Sequence, residues 1–205
     1  VETQHFHRRP LTFLSSRRPL AVIVRRSQSR SAPFMLVSIS PPAFDVTIDL
    51  KYATADNIAG RPIYRNAALL LEPAAAAALG RALALARGIG CRLVVYDGFR
   101  PVEAQWALWR ILPDPDYVAD PRVGSNHTRG VAADLTLADI ETGAVHDMGT
   151  GFDERVPRSH HGRADIPPEA QRNRALLLGI MTAAGWEHIP TEWWHYQLPG
   201  ASAYP

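Results

Sequence analysis

The chain has 205 residues, 46% hydrophobic and 20% charged, which suits one soluble globular domain and is short for two. A single cysteine, Cys91, excludes an internal disulfide framework and a cysteine-rich zinc module, and it fits a reducing compartment. The net charge of +2 is unevenly spread: seven arginines against Glu2 give residues 1–34 a charge of +6, leaving −4 for residues 35–205, so a nucleic-acid role argued from the basic pI would rest on the tail alone.

No stretch approaches the ~18 apolar residues of a membrane-spanning helix. The tail has features of an export signal, but Arg17-Arg18 interrupt the apolar region that should follow Arg8-Arg9. Its Arg- and Ser-rich character also suits a transit peptide. The expectation is that residues 1–34 are a basic extension outside the fold and that Met35 opens a catalytic domain running to residue 205. Alternation of Val46, Ile48 and Leu50 predicts a half-buried strand, followed by a loop from Tyr52 to Tyr64. Pro73 to Arg87, with its alanine run and a stop at Gly88, predicts a helix. Cys91–Tyr96 reads as a buried strand ending in an Asp97-Gly98 turn. A second helix runs from Pro101 to about Leu112, with Trp106 and Trp109 on one face. Residues 112–125 form a Pro/Asp/Gly-rich loop. Val131–Leu137 alternates, with Asp134 on the polar face, and Val145–Met148 is a candidate returning strand. A helix over 168–184 and a strand over 194–198 complete an α+β domain: a small antiparallel-rich sheet flanked by about three helices.

Two segments carry the chemistry: Ser125-Asn126-His127-Thr128-Arg129-Gly130-Val131-Ala132-Ala133-Asp134 and Glu192-Trp193-Trp194-His195. A catalytic zinc takes three protein ligands and keeps one position open. A loop followed by a strand can bring His127 and Asp134 together, and His195 would arrive from another strand. Glu192, three residues earlier, is the candidate base, and it must lie at a bend or ahead of the strand because i and i+3 point to opposite faces. Taken singly, each residue also has an ordinary reading: a solvated strand Asp, or a core His beside two tryptophans.

The ordered motifs 49–57 (Asp-Leu-Lys-Tyr-Ala-Thr-Ala-Asp-Asn), 97–101 (Asp-Gly-Phe-Arg-Pro), 127–137, Met148-Gly149, Phe152-Asp153, Arg158-Ser159-His160-His161 and Glu192 to Tyr196 carry a resemblance. Through them the chain resembles the zinc D-alanyl-D-alanine dipeptidases of the vancomycin-resistance type, over about Asp45 to Tyr196. The resemblance implies one zinc ion held by His127, Asp134 and His195, with Glu192 as general base for zinc-activated water. It implies Arg100 as the stabiliser of the tetrahedral intermediate, the alternative being a salt bridge that closes the Asp97-Gly98 turn. Asp153 and Tyr52 would receive the substrate's ammonium, and Ser125 would hold its carboxylate. A longer peptide would then leave Asp153 without a partner. His160 and His161 resemble a second metal pair, but adjacent residues rarely share a ligand face, so a supporting or structural role is expected. Residues 112–124 look short for the family, which would reshape the pocket rim.

The expected activity is hydrolysis of D-Ala-D-Ala, a cell-wall dipeptide, to two D-alanines in the cytoplasm, or outside it if the tail is an export signal. Neither a nucleic-acid partner nor a membrane span is expected. The alternatives are a D,D-carboxypeptidase or L,D-endopeptidase acting on longer peptidoglycan peptides with the same zinc site, and a catalytically silent zinc-binding module.

Overall fold

The computed structural model describes residues 35–205 and the backbone of residues 21–23. The remainder of the basic tail, with its signal-like features, lies outside the described residues. In chain order the elements are β1 (Ala21–Ile23), β2 (Met35–Ser38), β3 (Thr47–Ile48), β4 (Leu70–Leu71), α1 (Pro73–Gly88), β5 (Cys91–Asp97), α2 (Val102–Ile111), β6 (Ala132–Asp139), α3 (Pro168–Ala183), β7 (Glu187–His188) and β8 (His195–Gln197). The main sheet has the order β3-β5-β6-β8-β7 and is antiparallel except for the β3–β5 pair. A smaller sheet has the order β1-β2-β4 and is antiparallel throughout. Among the described residues the architecture is the expected α+β domain with three α-helices.

Local chemistry explains the longer elements. Glu72 caps α1 by accepting from the amides of Ala74 (2.6 Å) and Ala75 (3.3 Å), and Pro73 fits the first turn. The helix then buries Ala75, Ala78, Ala82 and Ala86, small side chains that let it lie close to the sheet. Gly88 does not stop it: the helix includes that residue, and the chain turns at Gly90, which has φ +77°. Strand β6 is buried on both faces, so the polar face predicted for Asp134 lines an internal site rather than solvent. Ile48 is exposed while Val46 and Leu50 are buried, so β3 shrinks to two residues. The candidate strand at Val145–Met148 reduces to one bridge between Val145 and Ala138.

The smaller sheet, which periodicity did not reveal, sets the two loops that matter most. Strand β4 and the residues flanking it give Phe99 N→Leu70 O (2.8 Å) and Glu72 N→Gly130 O (2.9 Å). At Gly98 a Cβ would lie 2.6 Å from Leu69 Cδ1 and 3.0 Å from Leu70 O. At Gly130, whose φ is +73°, it would lie 2.7 Å from Leu36 Cδ2 and 3.1 Å from Glu72 N. Only glycine allows both approaches.

Candidate active site

Three neighbouring strands align the polar residues. Asp97 on β5 pairs in register with Asp134 on β6, and Asp134 pairs with His195 on β8. Residues directly opposite on antiparallel strands share a face, so Asp134 and His195 meet, with His195 Nδ1 3.1 Å from Asp134 Oδ1. His127 comes from the turn before β6. Its amide donates to Ser125 Oγ (3.2 Å), and its carbonyl accepts from Arg100 N (3.1 Å) and Gly130 N (2.9 Å). Its Nε2 lies 3.1 Å from His195 Nδ1 and 3.4 Å from Asp134 Oδ1. All three side chains are buried, and they are the only metal-competent group of three or more His, Cys, Asp or Glu among the described residues.

The outer ring nitrogens decide whether a metal fits. His127 Nδ1 lies 2.9 Å from Gly98 O, which can only accept, so Nδ1 carries the proton and Nε2 presents a lone pair. His195 Nε2 lies 3.2 Å from Gln197 Oε1, whose orientation is fixed by Asn126 Nδ2→Gln197 Oε1 at 2.7 Å. His195 Nδ1 therefore also presents a lone pair. Two lone pairs and a carboxylate oxygen face one another, an arrangement that a cation between them relieves. Donors held about 2.0–2.1 Å from a tetrahedral zinc stand about 3.3 Å apart, close to the separations found here. The field agrees. Burial disfavours charge on His127, but Asp134 and Asp97 together outweigh burial and Arg100 and raise the ring's proton affinity. Burial likewise opposes ionisation of Asp134, yet the two imidazoles in their protonated forms hold its carboxyl far below the usual range. A field that draws a proton there draws a divalent cation more strongly.

The donors line a cavity of about 210 Å³ together with Tyr52, Arg100, Ser125, Asp153 and Glu192. That is smaller than the roughly 300–1,000 Å³ clefts that take drug-sized ligands. Residues 112–124 supply part of the wall through Pro115, Asp116, Tyr117 and Ala119. Glu192 sits in the turn ahead of β8, where burial pushes its carboxyl up to about 7; the nearby Asp134 and Asp153 charges add to this and His195 opposes it. Tyr52 donates to Asp153 Oδ2 (2.7 Å), and burial, reinforced by Asp153, keeps that phenol protonated. Ser125 Oγ accepts from the His127 amide, so the residue also shapes the ligand turn.

Arg100 makes the salt bridge that was the alternative to a pocket role, yet it lines the pocket as well. Its Nε and Nη2 donate to Asp97 Oδ2 (2.9 and 2.7 Å) and its Nη1 to Gln105 Oε1 (3.0 Å). The guanidinium lies over the Tyr52 ring, with Nη2 3.7 Å from Asp134 Oδ2. Asp97 also accepts from Gly98 N and from Tyr64 Oη. Asp97, Tyr64, Gln105 and Gln197 were not singled out as site residues; the motif 97–101 could have pointed to Asp97, whereas the others hold their partners from distant stretches.

Asp153 differs from expectation in one respect. It is not bare without substrate, because Arg155 Nη2 lies 3.1 Å from its Oδ1. A peptide lacking a free ammonium therefore does not strand this carboxylate. Burial raises the Asp153 carboxyl above its usual value, with Arg155 and Tyr52 opposing, and its backbone is left-handed at φ +58°. The surrounding loop is pinned by the buried Arg174 of α3, which donates to Met148 O (2.6 Å), Arg158 O (2.8 Å), His160 O (3.1 Å) and Thr150 Oγ1 (3.1 Å). His160 and His161 stand outside the metal cluster. The backbone of this stretch braces the Glu192 turn through His161 N→Pro190 O (2.9 Å) and Trp193 N→Ser159 O (3.1 Å).

Comparison with known proteins agrees with this geometry. A family model described as D-ala-D-ala dipeptidase matches residues 34–205. A D-alanyl-D-alanine dipeptidase of Escherichia coli is 53% identical over 161 residues, covering 78% of this chain and 83% of that protein. Proteins of the same name from Streptomyces coelicolor and Enterococcus faecium are each 36% identical, over 170 and 173 residues, covering 73% of this chain and 84% of each relative. With a zinc-competent donor triad inside the matched region, the chain belongs to the D-Ala-D-Ala dipeptidase family of zinc metallopeptidases.

Proposed function

We propose that the chain hydrolyses the dipeptide D-Ala-D-Ala to two D-alanines. The observation that carries this reading is the convergence of His127, Asp134 and His195 in a cavity of about 210 Å³ that also holds Glu192 and Asp153. Zinc at those three donors supplies Lewis acidity for cleavage of the peptide bond. Glu192 takes the proton of the attacking water and delivers it to the leaving amine, a task suited to a carboxyl whose pKa lies near 7. Arg100 commits three of its five N–H groups to Asp97 and Gln105, and the other two serve the developing oxyanion. Asp153 and the Tyr52 hydroxyl receive the substrate ammonium, and the Ser125 hydroxyl receives its carboxylate.

The Arg155 contact favours keeping a second reading, cleavage of a longer cell-wall peptide by the same site, because Asp153 has a partner without an ammonium. An assay of free D-Ala-D-Ala beside its N-acetylated form separates the two. The free dipeptide should be strongly preferred, and equal or better cleavage of the blocked form would overturn the dipeptidase reading. The catalytic unit is residues 35–205, a reading supported by the family match, although the backbone of residues 21–23 adds an edge strand to β2. A chain beginning at Met35 should keep zinc binding and turnover. A cytoplasmic site of action is part of this proposal; the single cysteine is compatible with it, and cell fractionation tests it.

A further inference from the structure

We propose that Arg155 is a displaceable internal cation that occupies the ammonium seat at Asp153 until substrate takes it. This rests on the reading of Asp153 as the ammonium partner. One carboxylate oxygen of Asp153, Oδ2, accepts from Tyr52; the other, Oδ1, faces Arg155 Nη2 at 3.1 Å. The two side chains are 7% and 11% exposed, and both line the cavity. An arginine committed to structure at this depth is Arg174, which donates to four acceptors. Arg155 makes a single hydrogen bond, its charge otherwise facing Glu192 across the cavity, and its buried Nε has no hydrogen-bond partner among the described residues. Five donors with one hydrogen bond make a loosely held ion.

A second cation at the same buried carboxylate would repel the first strongly in a low dielectric, so ammonium and guanidinium compete rather than share. The exchange keeps Asp153 neutralised in both states and avoids the large cost of an unpaired buried charge. It also weakens binding of anything with a free amine, including the product D-alanine, and so favours its release. If Arg155 holds the seat nine-tenths of the time, apparent affinity for the dipeptide falls about tenfold.

Titration calorimetry of D-Ala-D-Ala into the zinc-loaded full chain, in a turnover-dead Glu192→Gln background at pH 8, tests this. Arg155→Met should tighten binding about five- to tenfold, and Arg155→Lys should return it towards the parent value. Should a thermal melt show that Arg155→Met does not fold, Arg155→Gln takes its place with the same expectation. Binding no tighter than the parent in the folded variant overturns the proposal. Asp153→Asn, measured alongside, should weaken binding at least about tenfold. If it does not, the ammonium reading itself fails; if it does while the Arg155 variant binds no tighter, only the competition fails.

Discussion

Glu192 meets two opposing demands. Burial brings its carboxyl to about 7, where a base works well at neutral pH, but the same burial makes the ionised form costly to the fold. In the metal-free protein the folded-state value lies above the ordinary 4.5. The stabilisation this group gives is therefore complete below pH 4.5 and is lost as pH rises through about 7, on the order of 3 kcal/mol in all. Glu192→Gln should thus melt higher than the parent at pH 8 when both are metal-free, a difference that shrinks towards pH 4.5. With zinc the same variant should bind the ion normally and lose turnover by about 10²–10⁴, the share of a general base. Normal turnover in a zinc-replete Glu192→Gln protein would remove Glu192 from the mechanism.

Side chains that touch the metal position were legible through the family resemblance that the ordered motifs carry, since each taken singly has an ordinary reading. Those that act through a partner were not. Gln197 fixes the His195 ring from two residues away, but it needs Asn126, 71 positions distant, to orient its own amide. Arg155 has its meaning only beside Asp153, in a loop whose conformation no periodicity encodes.

At the scale of elements, α1, α2, α3, β5 and β6 were readable within a few residues because each spans enough turns or alternations to show a period. Strands β4 and β7 have two residues each and show none, and the alternation over Val46, Ile48 and Leu50 survives only as the two residues of β3. Yet β4 sets the geometry of the His127 turn, and two glycines test this. Gly130 and Gly143 share a left-handed backbone, at φ +73° and +72°, but a Cβ at Gly143 meets nothing within 4 Å. Gly143→Ala should cost only the left-handed strain, about 1–2 kcal/mol. Gly130→Ala adds a clash with Leu36 and the Glu72 backbone, so about 3–5 kcal/mol in total, together with weaker zinc binding. Denaturant melts and metal titrations on both variants check the difference, and equal losses would mean that β4 does not brace the turn. Helix α3 acts similarly on the other side of the pocket through Arg174. Arg174→Met should release the loop 148–160, raising KM several-fold while zinc stoichiometry stays at one, since none of the three donors lies on that loop. Unchanged KM in a folded Arg174→Met protein would detach α3 from substrate binding.

For the whole molecule, the α+β class followed from the order of helical and alternating segments. The two-sheet topology did not, because pairing depends on which short strands find each other. The consequence for stability lies in where the donors come from: His127 from a turn clamped by β4, Asp134 from the central strand and His195 from a strand that reaches the sheet only near the chain's end. One ion therefore ties together segments 68 residues apart. An ion bound only to the folded state at a free concentration 1,000 times its Kd adds about 4 kcal/mol. For a domain of this size each kcal/mol moves Tm by about 2–4 °C, so chelation should lower Tm by about 8–16 °C. In His195→Ala the imidazole that closes the site is gone, and the melt should hardly respond to chelator, although the starting Tm is already low. Identical melts for the parent with and without chelator would mean that the three side chains do not hold their ion through the folded structure.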